Sequence, residues 1–146
     1  MSLKSPQDTT VRADVGYGAQ RLEDAPRMDI LIVDDSRAMR LIVKRTLRQA
    51  GYGDATVREA ANGDEALAAV TDRCPDLVLS DWNMPGMNGL ELLQAIKAQG
   101  LVLKFGFVTS EGTPEMRRRA ADNGAAFLIA KPFNADVFAA KLAEVA

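Results

Sequence analysis

The chain is predicted to fold as a doubly wound α/β domain, a five-stranded parallel sheet with helices on both faces. Three observations predict it. Short apolar runs, DILIV at Asp29–Val33, LVLS at Leu77–Ser80 and FLIA at Phe127–Ala130, are too brief for helices, and each is followed directly by a charged residue. Between such runs lie longer segments whose apolar residues recur at helical spacing. Glycines close those segments at Gly51, Gly100 and Gly124. Strand and helix in strict alternation favour parallel pairing through crossover connections.

Each element has its own justification. Asp29–Val33 is continuous in apolar character, as a strand covered on both faces requires. Ser36 is a suitable N-cap for a helix over 36–50, with Met39, Ile42, Val43 and Leu47 on one stripe and Gly51 as its stop. Residues 56–59 form a weak, polar strand that belongs at a sheet edge. An Ala-rich helix over 64–71 follows, then Leu77–Ser80 as a second buried strand and a helix over 90–98. Residues 105–109 (FGFVT) read as a strand in which Gly106 is a weak point, because glycine lacks a side chain to pack. Thr113 and Pro114 suit the N-cap and first position of the next helix. Phe127–Ala130 is the last strand and 134–145 the closing helix. Residues 1–27, with isolated Val11, Val15 and Leu22 and no sustained period, read as a flexible or docking extension. Residues 28–146 form the single folded domain.

Composition narrows the function. A formal net charge of -2 and 26% charged residues offer no basic face for nucleic acid. The one cysteine, Cys74, excludes an internal disulfide framework. The chain contains no histidine, so histidine-based acid–base catalysis and histidine metal ligation are excluded. No apolar stretch is long enough to span a bilayer and 1–27 lacks a secretory apolar region, so a cytoplasmic location is expected.

The chemistry lies just past the carboxyl ends of the strands, where ligands of open α/β sheets gather. The first strand leads into Asp34 and Asp35, the third into Asp81, the fourth ends at Thr109, and the fifth leads into Lys131 and Pro132. The second contributes nothing evident. Clustered carboxylates repel, and a hard divalent cation resolves the conflict; Mg²⁺ takes one or two carboxylates together with phosphate oxygens and water. Lys131 adds a second positive charge to the rim. This balance suits an incoming phosphoryl group, and a carboxylate can serve as its acceptor. Asp81, on the middle strand, is the central candidate.

Taken together, Asp34-Asp35, the segment LVLSDWNMPGMNG at 77–89, Thr109 and AKPF at 130–133 resemble the response-regulator receiver family. The DWNMP stretch is especially similar to that of the chemotaxis response regulators. The resemblance covers the chain from about Met28 onward and implies the strand order 2-1-3-4-5. It implies that Asp81 is phosphorylated by a phosphohistidine on a histidine kinase or phosphotransfer partner. Asp35 would ligate Mg²⁺ (or Mn²⁺) directly and Asp34 mainly through water, with Asp81 and the Asn83 backbone carbonyl completing the protein's ligands. Thr109 would hydrogen-bond the phosphoryl group and Lys131 would pair with it, with a cis Lys131–Pro132 bond. Asn83 and Glu111 occupy positions that set the rate of phosphoryl loss, implying a lifetime of seconds to minutes. The family usually has Tyr or Phe three residues before its lysine; here that switch position is Leu128, and adjacent Phe127 points to the other face. Coupling to an output face is therefore expected to be weaker than the chemistry.

The expected protein is a stand-alone switch module, monomeric, that catalyses only its own phosphorylation and dephosphorylation. A downstream protein would dock on the fourth helix, fifth strand and fifth helix, where Arg117-Arg118-Arg119 is otherwise a solvated helix face. A phosphoryl sink or relay intermediate for a shared kinase is the alternative. An aspartyl-phosphate phosphatase is disfavoured because Asp81-x-Asn83 lacks a second acid, and a phosphorylation-independent scaffold is disfavoured by the intact acidic cluster.

Overall fold

The computed structural model describes residues 27–145. All but Arg27 of the expected extension 1–27, together with residue 146, lies outside the described residues. The element order is β1 (Asp29–Val33), α1 (Arg37–Leu47), β2 (Thr56–Ala60), α2 (Gly63–Asp72), β3 (Leu77–Ser80), α3 (Gly89–Ala98), β4 (Lys104–Thr109), α4 (Pro114–Asp122), β5 (Phe127–Ala130) and α5 (Ala135–Ala143). The five strands are parallel in the order β2-β1-β3-β4-β5. The polar strand β2 is at an edge, where its exposed residues meet water.

Strand alternation divides the core into two layers. Leu31, Val33, Val78, Phe107 and Leu128 face one side, under Val70 of α2 and Leu92 and Ile96 of α3. Ile30, Ile32, Leu79, Phe127 and Ile129 face the other, under Val43 and Leu47 of α1 and Phe138 and Leu142 of α5. Phe127 and Leu128 therefore lie on opposite faces, as the period of a strand demands.

The helices begin on side-chain caps. Ser36, Asn62, Asn88, Thr113 and Asn134 each accept a hydrogen bond from a backbone N–H in the first turn of the helix they precede. The first helix departs from its expected end at residue 50. Regular α-geometry stops at Leu47, and Arg48–Tyr52 form a wider π-type turn in which Gly51 takes φ 102°. The left-handed conformation that glycine tolerates is thus placed inside a widened turn. Gly106 also has a structural reason: a Cβ there would collide with the ring of Phe127 on β5, its register partner. Among the described residues, no helix is long and apolar enough to cross a membrane.

Candidate functional site

The β1–α1 loop supplies two of the acids. The buried Asp34 side chain accepts a 2.9 Å hydrogen bond at Oδ1 from the Ser36 backbone N–H. Asp35, one residue on, is exposed. Strand β3 delivers the third acid: the Asp81 N–H donates to the Val33 carbonyl at 2.9 Å, so the end of the central strand is held against the end of β1. Asp34, Asp35 and Asp81 each place a carboxylate oxygen within 4.8 Å of the others.

Lys131 enters from the end of β5. Its Nζ lies 3.3 Å from Asp34 Oδ2 and 3.6 Å from Asp81 Oδ2. The Lys131 backbone N–H donates to the Thr109 carbonyl at 2.7 Å, and the Lys131–Pro132 peptide is cis, as expected. Thr109 is fully buried at the end of β4, and its Oγ1 accepts from the Glu111 N–H at 3.4 Å. The Asn83 side-chain amide donates to Glu111 Oε1 at 3.3 Å, joining the β3–α3 and β4–α4 loops. All the predicted carboxylates, the hydroxyl and the ammonium thus lie along one rim of the sheet, and β2 contributes none of them.

Burial pushes the Asp81 carboxyl above its ordinary range; Lys131 pulls it down, Asp34 pushes it up again, and the backbone N–H groups of Trp82 and Asn83 pull it down. The Trp82 N–H donates to Asp81 Oδ1 at 2.7 Å. One ammonium facing three carboxylates leaves negative charge over, so the donor set fits a hard divalent cation with oxygen ligands. Trp82 follows Asp81 in the chain, its ring 4.6 Å from that of Phe107 and covered by the Arg119 guanidinium at 5.6 Å.

Residues 30–143 match the response regulator receiver domain model. The chain belongs to the response regulator receiver family. This receiver is 38% identical over 120 residues to the chemotaxis protein CheY of Pseudomonas aeruginosa, covering 81% of this chain and 95% of that protein. It is 40% identical over 120 residues to chemotaxis protein CheY-3 of Vibrio cholerae, covering 81% and 91%. Among solved structures, chemotaxis protein CheY4 of Vibrio cholerae superposes on this receiver with a TM-score of 0.74 at 35% identity, covering 83% of this chain and 100% of that one. The receiver is thus a CheY-like response regulator domain.

One arginine near the site was missed in the sequence, and another was given only part of its role. Arg40 on α1 donates from Nη1 to the Asp34 carbonyl at 2.6 Å and from Nε to Glu59 Oε1 at 2.8 Å. Its position one helical turn after Ser36 was the available signal, since helical side chains lean toward the N-terminus. Arg117 corrects the reading of the triple arginine as simply solvated. The residue is exposed, yet its guanidinium donates to the Gly112 and Leu128 carbonyls at 3.1 and 3.2 Å.

Proposed function

We propose that Asp81 accepts a phosphoryl group from a phosphohistidine on a histidine kinase or phosphotransfer protein, and that this changes how the domain docks to a downstream partner. The observation that carries the reading is the Asp81 carboxylate lying between two further acids and the Lys131 ammonium. In the transfer, an Asp81 carboxylate oxygen forms the new bond to phosphorus as the bond from phosphorus to the imidazole nitrogen breaks. That nitrogen keeps the electron pair. Mg²⁺, when bound, offsets the charge that collects on the phosphoryl oxygens.

Asp34, Asp35 and Asp81 would hold the cation, with the Asn83 backbone carbonyl. Lys131, already 3.6 Å from Asp81, would pair with a phosphoryl oxygen there, and the Thr109 hydroxyl would donate to another. Loss of the group to water regenerates Asp81, with Asn83 and Glu111 at the mouth orienting that water; a phosphoryl lifetime of seconds to minutes is expected, read by loss of label. The domain acts on no separate substrate in this scheme. The names of the relatives support a place in chemotaxis signalling; a cytoplasmic location and a docking face of α4, β5 and α5 belong to the same proposal. Leu128 at the switch position favours a second reading, a phosphoryl sink for a shared kinase.

The test is intact mass after incubation with Mg²⁺ and acetyl phosphate. Wild type gains one phosphoryl group and Asp81→Asn gains none, and a Trp82 fluorescence change beyond that caused by Mg²⁺ alone appears in wild type only. No mass gain in wild type overturns the reading. In a mixed transfer assay, a sink drains phosphoryl groups from a second regulator of the same kinase, whereas a signal carrier binds its partner only when phosphorylated.

A further inference from the structure

The Asp34–Asp35 peptide is held by a residue outside the rim. Arg40 reaches back from α1 with a side chain only 13% exposed, and its 2.6 Å hydrogen bond goes to the carbonyl of that peptide. The orientation of a peptide plane sets where the next Cα and its side chain point. The next side chain is Asp35, the exposed acid of the cluster, whose carboxylate makes no hydrogen bond or ion pair with a described residue. Asp34, by contrast, is fixed through its own carboxylate by Ser36 and Lys131. The aim of Asp35 therefore depends on its backbone, and its backbone on Arg40.

The guanidinium is itself anchored. Glu59, at the end of β2, accepts from Arg40 Nε at 2.8 Å and takes Lys44 on its other oxygen at 3.1 Å. The Arg40 hydrogen bond, more than burial opposes it, holds the Glu59 carboxyl below the usual range. Glu59 thus balances the charge of Arg40, which lets a cationic side chain stand behind a cation site. A planar fork spanning an acid and a carbonyl is a geometry that lysine does not reproduce.

We propose that Arg40 is the positioning residue of the divalent-cation site, fixing the Asp34–Asp35 peptide so that the Asp35 carboxylate converges with Asp34 and Asp81. This rests on the reading of that cluster as the Mg²⁺ site. It also gives strand β2, which places no group on the rim, a part in the site through Glu59.

Position and charge predict opposite signs, which makes the test decisive. Were Arg40 only a nearby positive charge, removing it would tighten Mg²⁺ binding. As a positioning residue, its loss weakens binding about tenfold, the lower end for groups that orient metal ligands. The experiment titrates Mg²⁺ alone, without phosphodonor, into wild type, Arg40→Met and Arg40→Lys, followed by Trp82 fluorescence and by calorimetry. Thermal melts in EDTA check folding. Arg40→Met is expected to bind about tenfold more weakly, and Arg40→Lys to recover only part of the loss. Equal or tighter binding by folded Arg40→Met overturns the proposal. Should Arg40→Met not fold, Arg40→Lys decides, and wild-type affinity in that variant overturns the proposal. Absence of any Mg²⁺ response in wild type overturns the metal-site reading and this inference with it, an outcome distinct from a variant-specific result.

Discussion

Arg117 on α4 donates through Nη1 to the carbonyl oxygen of Leu128 on β5, at 3.2 Å, three residues before Lys131. The same guanidinium holds the Gly112 carbonyl in the loop after Thr109, at 3.1 Å. Leu128 is buried beneath it, and a Cβ at Gly112 would lie 3.5 Å from Leu128 Cδ2. Loop, helix and strand are therefore joined by one side chain where the family usually places an aromatic ring.

Substituting Arg117→Met keeps the aliphatic length and removes both hydrogen bonds. Hydrogen exchange across residues 110–116 is expected to quicken, with a stability loss of about 1 kcal/mol because the group is at the surface. Phosphorylation chemistry at Asp81 should persist, since Arg117 touches none of the rim groups. Exchange identical to wild type in that loop would show that the guanidinium does not restrain it.

Gly106→Ala should destabilise the domain. The new Cβ would meet the Phe127 ring, and overpacking of this kind costs roughly 1–3 kcal/mol. Combining it with Phe127→Leu, which withdraws the ring, should recover part of the loss in chemical denaturation. A double variant no more stable than Gly106→Ala alone would remove the ring as the cause.

These two sites show where sequence reasoning reaches and where it stops. Asp34, Asp35, Asp81, Thr109 and Lys131 were legible because each directly ends a strand pattern, and parallel α/β topology collects strand ends on one rim. The cap residues were legible because capping is local in sequence. Gly106 looked like a weak point because its reason, Phe127, lies on a neighbouring strand and becomes adjacent only through the register of β4 with β5. Arg40 and the carbonyl partners of Arg117 escaped notice because backbone carbonyls are carried by every residue and no motif marks them. The end of α1 was placed too late because residues 48–50 keep helical dihedrals in the widened turn, up to the left-handed Gly51.

Lys131→Ala separates cation binding from response. Lys131 bonds Asp34 at 3.3 Å and faces Asp81 at 3.6 Å, so its removal leaves the three carboxylates without their ammonium. Mg²⁺ affinity should be preserved or raised, because a competing positive charge is gone. The Trp82 fluorescence change on adding beryllofluoride should shrink, because the phosphoryl mimic loses its pairing partner. Loss of Mg²⁺ binding in this variant would instead make the lysine part of the cation site.

Asp81→Asn tests the electrostatics of the Asp81 carboxyl through stability. Burial is the largest influence on this carboxyl and raises its pKa in the folded state, so the folded protein holds that proton more tightly than the unfolded chain does. The contribution of Asp81 therefore favours folding below the unfolded carboxylate pKa, near about 4, and is lost as pH rises through the higher folded value. At neutral pH without a divalent cation, the charged, desolvated carboxylate costs stability, and asparagine of nearly the same shape does not. In EDTA near neutrality Asp81→Asn should melt a few degrees above wild type, and the gap should close as pH falls toward about 3. Adding Mg²⁺ should stabilise wild type more than the variant and so narrow the gap from the other side. The measurement is a series of thermal melts across pH, with and without Mg²⁺. A variant that melts below wild type at neutral pH in EDTA would mean that Lys131 and the Trp82 and Asn83 N–H groups outweigh the burial of Asp81.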